Sequence, residues 1–147
     1  MESLPHKYVV SARSGHSDPL VTLKCENLNE LVSAPPKQFG GPGDQWSPED
    51  LFVAAIADCF VLTFRAIARG KKLVWTEIEC EVAATLERLD GKTRFTNVKI
   101  RPTLEIVGSE SEKAQKILQQ AEDSCLITNS LSCEVHLHDL KISELTS

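Results

Sequence analysis

The stretch GGPGDQWSPEDLFVAAIADCF, residues 40–60, contains the clearest helix start in the sequence. Its first four residues are glycine and proline, which cannot hold regular structure for long. Ser47 then suits the cap of a helix, and Pro48 suits the first helical position, where a missing N–H costs nothing. Asp50, three residues after the cap, can return a hydrogen bond to it. The sequence therefore predicts a helix that begins at Pro48.

This helix is predicted to run to about Arg69, with Gly70 stopping it. Its apolar residues cover nearly every face: Leu51, Phe52, Val53, Ala54, Ala55, Ile56, Phe60, Val61, Leu62, Phe64 and Ile67. A helix that is apolar most of the way round is buried. A single chain of 147 residues does not easily cover such a helix on all sides, so we expect a homodimer.

The rest of the chain predicts strands and one further helix. Apolar spacing by three and four predicts a second helix over about 109–124, ending near Cys125. Asp90 and Gly91 form a hairpin turn signal. Short or alternating apolar segments predict strands over 8–13, 20–25, 74–86, 94–106 and 133–142. This order predicts an α+β fold, and nothing divides residues 1–147 into more than a single domain.

Composition excludes several classes of partner. The net charge is −5 and no basic cluster stands out, so we expect no nucleic-acid partner. The N-terminus, MESLPHKYVV, lacks the pattern of a secretory signal. The most apolar run, Leu51 to Phe64, contains Asp58 and is shorter than the roughly 20 residues that cross a bilayer. These features predict a cytoplasmic protein without a membrane partner.

The five cysteines fall into two groups. Cys25, Cys80 and Cys133 share the apolar face of their predicted strands, where a cysteine usually acts as a small hydrophobe. Cys59 lies in the middle of the first helix, and Cys125 ends the apolar stripe of the second. Both should point to the interior, where the helices could meet. Pattern alone leaves open that these two also only fill the core.

A zinc site is the rival interpretation of the C-terminal region. Cys133, His136 and His138 have suggestive spacing, but on a strand the two histidines face together and Cys133 faces away. No CxxC or HExxH motif occurs. We therefore predict an exposed histidine pair and no metal site.

Two stretches resemble one protein family. Residues 40–60, with a Pro-Glu pair opening a helix and Cys59-Phe60 closing the motif, resemble the first cysteine motif of the OsmC/Ohr family. This family comprises osmotically inducible protein C and the organic hydroperoxide resistance proteins. Residues 121–131, AEDSCLITNSL, resemble its second motif, and the cysteine separation (125 − 59 = 66) also fits.

The resemblance implies a fold and a reaction. The OsmC-like fold has two antiparallel sheets around long central helices in an intertwined homodimer. The reaction is thiol-dependent reduction of organic hydroperoxides, and more weakly of hydrogen peroxide. Cys59 would attack the peroxide and become a sulfenic acid, and Cys125 would then close a disulfide. A dithiol, lipoyl-type in the Ohr branch, would reopen that disulfide. No metal, flavin or haem is implied.

The family also uses an Arg–Glu pair to activate the first cysteine. Glu49 matches the glutamate, but ten residues (59 − 49) of helix rise about 15 Å, so it would have to reach another subunit's Cys59 or the helix would have to bend. Arg13 is the best match for the arginine and His16 the next. Both could be ordinary loop residues.

Departures from the family pattern keep a second function open. Asp58 stands where the family usually has a small neutral residue, and a carboxylate facing Cys59 would disfavour its thiolate. The alternative function is a non-enzymatic OsmC-like stress or ligand-binding protein whose cysteines belong to the core.

Overall fold

The computed structural model describes residues 1–146, and these confirm the α+β class. Two compact units divide the chain, Met1–Phe52 and a second from Val53 onward. Each unit contains one sheet. That all 147 residues form a single domain stays a prediction.

The first unit contains a small antiparallel sheet of three strands. Strands β1, Ser11–Arg13, and β2, Val21–Lys24, lie within the predicted strand segments 8–13 and 20–25 and pair as an antiparallel hairpin, although each is shorter than its predicted segment. A third strand, β3, Leu31–Ser33, pairs with β2 and was not predicted. Three residues give too short a pattern for alternation to be recognised.

The glycine-rich loop folds tightly back on the prolines before it. The Gly41 backbone N–H donates a hydrogen bond to the carbonyl of Pro36 at 3.0 Å. A Cβ atom at Gly41 would lie 1.7 Å from the carbonyl oxygen of Pro35, which no side chain can tolerate. The loop therefore requires glycine at this position because two backbone segments touch there.

Helix α1, Pro48–Gly70, begins as predicted. The Ser47 N–H and hydroxyl donate to the Asp50 carboxylate at 3.1 and 2.8 Å, and the Asp50 N–H donates to the Ser47 hydroxyl at 3.1 Å. This reciprocal cap satisfies donors that a helix start leaves free. The end differs from the prediction, because Gly70 is the last helical residue and the left-handed residue that ends the turn is Lys72, with φ 57°.

Within one chain, α1 is buried along a single stripe. Its buried residues recur at every fourth position: Ile56, Phe60, Phe64 and Ala68. Leu62, on another face, is 59% exposed. The expectation of burial on nearly every face is therefore not met within one chain, which leaves apolar surface to be covered.

Helix α1 also has the length and composition of a membrane-spanning helix, with 22% of its most apolar window buried. The core helix of a water-soluble protein passes the same test, so the finding is weak. The helix has 23 residues, so it is longer than its most apolar run, Leu51 to Phe64, and its length alone does not exclude a membrane span. The cytoplasmic location and the lack of a membrane partner stay predictions.

The second unit is built on a long antiparallel hairpin. Strands β4, Trp75–Leu89, and β5, Lys92–Val107, pair along almost their whole length. Asp90 and Gly91 both have positive φ, 51° and 76°, as the predicted two-residue turn requires. Every second residue of β5 from Val98 to Ile106 is fully buried, so one face of this sheet is covered.

The predicted last strand is two strands. Strands β6, Glu134–Leu137, and β7, Lys141–Leu145, both pair with β5 in parallel. The chain is interrupted at Asp139, which has φ 48° and whose carboxylate is 3.4 Å from the Arg101 guanidinium. This sheet is therefore mixed, and the expectation of two antiparallel sheets is wrong for it. The crossover through the second helix returns the chain in the direction of β5.

Helix α2, Ser111–Ser124, packs on the covered face, against β5, β6 and β7. Its buried residues are those of the predicted stripe: Ala114, Ile117, Leu118 and Ala121. A four-residue helix, α3, Leu126–Asn129, follows after one residue and was not predicted.

We expect Gly41→Ala to lower the free energy of unfolding by about 2 kcal/mol or more, since the backbone must move to admit a methyl group. The matched control is Gly70→Ala. A Cβ atom there meets nothing within 4 Å and φ is not positive, so alanine should stabilise α1 by up to about 1 kcal/mol. Thermal melts of both variants test this. Equal melting temperatures would contradict the close approach.

Candidate functional site

The structure brings Cys59 and Cys125 together in the second unit. Cys59 lies on α1 and is half-buried, whereas Cys125 is fully buried. Burial raises the pKa of the Cys125 thiol, hydrogen bonds from Thr128 oppose this, and the Cys59 thiol raises it further through a side-chain hydrogen bond and charge repulsion. The pair therefore joins one thiol that solvent can reach to one that solvent cannot.

Cys125 occupies the junction between two helices. Helix α2 ends at Ser124 and α3 begins at Leu126, so Cys125 is the single residue that joins them. Its backbone is extended, with φ −67° and ψ 112°. Its N–H donates to the carbonyl of Glu122 over a long 3.4 Å, and its carbonyl accepts from the Thr128 hydroxyl at 3.1 Å. A residue at such a junction is less constrained than one inside a helix, where neighbouring turns fix the backbone.

Polar groups near Cys59 come from its own helix. The Thr63 hydroxyl, one turn further on, lies 3.9 Å from the Cys59 sulfur, and either atom could donate. Asp58 is exposed, and consecutive residues of a helix point about 100° apart, so its carboxylate does not share the direction of Cys59. Arg65 is placed elsewhere, with its guanidinium 5.6 Å from the centre of the Trp75 ring.

Glu49 has an unusual environment. It lies in the first turn of α1, where a carboxylate favours the helix N-terminus. Its Oε1 is buried and has no hydrogen-bond partner within residues 1–146. A buried polar atom without a partner costs free energy, so this oxygen calls for a donor. Sequence pattern gave no sign of this burial, because Glu49 looks like any first-turn carboxylate.

The predicted arginine is not placed against the predicted glutamate. Arg13 is exposed at the end of β1 and lines an open cavity of about 380 Å³ together with Asp18 and Glu30. Within residues 1–146, no ion pair joins Arg13 to Glu49. His16 is exposed in the loop that follows β1. Within residues 1–146, neither Arg13 nor His16 forms an ion pair with Glu49.

A third cysteine lies near the pair and was assigned to the core by its strand position. Burial raises the pKa of the Cys80 thiol to about 12, and the charge of Cys125 adds to this effect. The parity of Cys80 with Ile78 and Val82 places it on the covered face, but no pattern shows that α2 ends above it. Cys25 and Cys133 are half-buried.

His136, in β6, and His138, which directly follows β6, are both exposed, as predicted. His136 lies 3.3 Å from a Glu134 oxygen, and His138 lies 3.1 Å from an Asp139 oxygen. Among the described residues, no group of three His, Cys, Asp or Glu side chains could hold a metal ion. These contacts are exposed and contribute little to stability.

A family model for OsmC-like protein matches residues 41–138 of the chain. The chain belongs to the OsmC-like family. The match contains all but the first residue of the first cysteine motif, the whole second motif and the hairpin of β4 and β5. The predicted family is therefore confirmed.

Sequence relatives of this OsmC-like protein are distant. It is 24% identical over 136 residues to YmaD, an uncharacterized protein of Bacillus subtilis, covering 90% of each chain. It is 32% identical over 107 residues to an uncharacterized protein of Methanocaldococcus jannaschii, covering 65% of this chain and 51% of the relative. It is 23% identical over 91 residues to the peroxiredoxin OsmC of Escherichia coli, covering 62% of this chain and 64% of the relative.

Solved structures share the fold. An OsmC-like protein of unknown function from Vibrio cholerae superposes with a TM-score of 0.78 at 21% identity, covering 95% of this chain and 99% of the other. An organic hydroperoxide resistance protein from Elizabethkingia anophelis gives a TM-score of 0.77 at 22% identity, covering 99% and 100%. At these identities the likeness establishes the OsmC-like fold alone.

We expect Thr63→Val to slow alkylation of Cys59 by iodoacetamide at pH 7 several-fold, since the substitution keeps the shape and removes the hydroxyl that can donate to a thiolate. Mass spectrometry of timed samples gives the rate at each cysteine. Thr76→Val, on the exposed edge of β4, is the matched control and should leave the rate unchanged. An unchanged rate in Thr63→Val would show that the hydroxyl does not act on the sulfur.

Proposed function

We propose that this protein reduces organic hydroperoxides to alcohols through Cys59 and Cys125, with weaker activity towards hydrogen peroxide. The observation that carries the proposal is the meeting of a half-buried thiol on α1 with a fully buried thiol at the end of α2. A peroxide needs access to one sulfur only. The second sulfur needs to reach the first, and burial protects it from direct oxidation.

The reaction has three thiol steps. The Cys59 thiolate attacks the distal peroxide oxygen, the O–O bond breaks, and the alcohol leaves as Cys59 becomes a sulfenic acid. Cys125 then attacks the Cys59 sulfur, which releases water and forms a disulfide. A dithiol reductant, of lipoyl type or similar, restores both thiols by exchange. The steps call for no cofactor.

The names of similar proteins support a peroxide-related function. The relative from E. coli is called a peroxiredoxin, and the similar structure from E. anophelis is called an organic hydroperoxide resistance protein. A further structural neighbour from V. cholerae, also called an organic hydroperoxide resistance protein, has a molecule of captopril in one of its active sites.

The proposal includes a homodimer. One chain buries only one stripe of the apolar helix α1, and a second copy of the same chain would cover the remainder. Glu49 cannot contact Cys59 of its own straight helix, because about 15 Å of helix separates them. We therefore assign Glu49 a role across the dimer, where its unpaired oxygen would hold a cation such as Arg13 beside the partner subunit's thiolate.

We expect Cys59→Ser to abolish consumption of cumene hydroperoxide in the presence of a dithiol, because the substitution removes the sulfur that attacks the peroxide. Cys125→Ser should support one turnover and then accumulate a sulfenic acid that dimedone traps. Cys133→Ser, which removes another half-buried cysteine, is the matched control and should retain activity. Full activity in Cys59→Ser would refute the proposal and leave the non-enzymatic, ligand-binding function.

We expect Glu49→Gln to lower kcat/KM for cumene hydroperoxide by at least about tenfold, since an amide cannot hold a cation at the site. Glu112→Gln, an exposed first-turn glutamate of α2, is the control that keeps the net charge change equal. Sedimentation of both variants separates loss of activity from loss of the dimer. Normal kinetics in Glu49→Gln would limit this residue to its own helix N-terminus.

A further inference from the structure

Cys80 lies on the covered face of the second sheet. It pairs in register with Pro102 of β5, and partners across an antiparallel ladder point to the same face. Pro102 is fully buried between the buried residues Ile100 and Leu104, on the face that α2 covers. The Cys80 side chain therefore points towards α2, although it stands next to exposed Glu79 and Glu81 in the sequence.

Cys125 ends α2 above this face. The apolar stripe of α2 leads to Cys125, which is fully buried. Cys80 and Cys125 are close enough for their charges to interact, and Cys125 also adjoins Cys59. The three thiols thus form a cluster with Cys125 between the other two.

We propose that Cys80 is a third redox thiol, which forms a disulfide with Cys125 in place of Cys59. This exchange returns Cys59 to its reactive state without an external reductant. The inference rests on the proposed function, because a Cys59–Cys125 disulfide is its starting point. It adds a second disulfide, Cys80–Cys125, so that the oxidised pair of cysteines includes Cys80 of β4 and no longer includes Cys59.

The step is a thiol–disulfide exchange that balances within the protein. The Cys80 thiol loses its proton to solvent, and its sulfur attacks the Cys125 sulfur. The Cys59–Cys125 bond breaks as the Cys80–Cys125 bond forms, and the electron pair leaves on Cys59 as a thiolate. No electrons enter or leave, so a later dithiol reduces Cys80–Cys125 in place of Cys59–Cys125. The freed Cys59 can react with a second peroxide.

The burial of Cys80 fixes the pH dependence of the exchange. Its pKa of about 12 keeps it protonated at neutral pH, and thiolate is the attacking form. Below that pKa, the thiolate fraction and the exchange rate should each rise about tenfold per pH unit. The groups that flank Cys80 on its strand, Glu79 and Glu81, face the exposed side of the sheet, and on the covered side Cys80 faces the Cys125 thiol.

The first experiment tests, without any peroxide, whether Cys80 lies close enough to Cys125 to form a disulfide. Cys59→Ser is oxidised with diamide, a thiol oxidant, and its disulfides are mapped by mass spectrometry of peptides prepared without reductant. We expect a Cys80–Cys125 disulfide within one chain. The control variant, Cys59→Ser with Cys80→Ala, should keep Cys125 reduced, and its melting temperature shows whether it folds. Cys125 left reduced in Cys59→Ser, or joined to Cys25 or Cys133, would overturn the proposal.

The exchange itself is followed after one equivalent of cumene hydroperoxide. In the unmodified chain, alkylation should show Cys59 oxidised first and free again later, about tenfold sooner at pH 8.5 than at pH 7.5. In Cys80→Ala, Cys59 should stay oxidised, and in Cys133→Ala it should return. A Cys59–Cys125 disulfide that persists at both pH values would refute the exchange. A different outcome separates the two proposals. If hydroperoxide leaves all thiols reduced but diamide joins Cys80 to Cys125 in Cys59→Ser, the proposed function is refuted, whereas the proximity of Cys80 to Cys125 is supported.

Discussion

The burial of α1 is the constraint on which the rest of the structure depends. A helix that is apolar on nearly every face must be covered, and one chain covers the stripe that contains Phe60 and Phe64. Phe64 packs edge-on against Trp75 at 5.3 Å, which ties this stripe to the start of β4. The same placement brings Cys59 against the end of α2. The thiol pair is thus a consequence of how the central helix is packed, and the faces of α1 left exposed explain why a second copy is expected.

Electrostatics around the three thiols divide their roles. Burial of Cys125 and Cys80 raises the pKa of both, which favours their protonated forms and slows their direct reaction with oxidants. Cys59 and Cys80 are both half-buried, whereas Cys125 is fully buried, and the Thr63 hydroxyl lies beside Cys59. Glu49 has a buried carboxylate oxygen without a hydrogen-bond partner within residues 1–146. A peroxidase needs this asymmetry, because only one sulfur should meet the substrate.

The sequence predicted the elements with strong local signals. The Ser47–Asp50 cap, the alternation of β4 and β5 and the Asp90–Gly91 turn all arise from interactions between near neighbours, so spacing reveals them. The interruption at Asp139 was missed because it depends on pairing with β5 and on Arg101, which are distant in the sequence.

The site was predictable to a similar limit. The alternation of apolar residues along the strands separated the two helix cysteines from the strand cysteines. Alternation shows only which face of the sheet a side chain points to, and not which residues pack against that face. For this reason Cys80 was assigned to the core although Cys125 lies near it. The buried state of Glu49 likewise depends on packing that its position in the first helical turn does not reveal. Within residues 1–146, no ion pair joins Glu49 to a cation.

The central claim is that Cys59 and Cys125 form a disulfide when the protein meets an organic hydroperoxide. Its most direct test is a count of free thiols within seconds of adding one equivalent of cumene hydroperoxide to the reduced protein at pH 7, followed by disulfide mapping. The account predicts the loss of two thiols per chain, at Cys59 and Cys125, and one disulfide between them. All five thiols remaining free, or Cys59 oxidised to a sulfinic acid while Cys125 stays reduced, would contradict it.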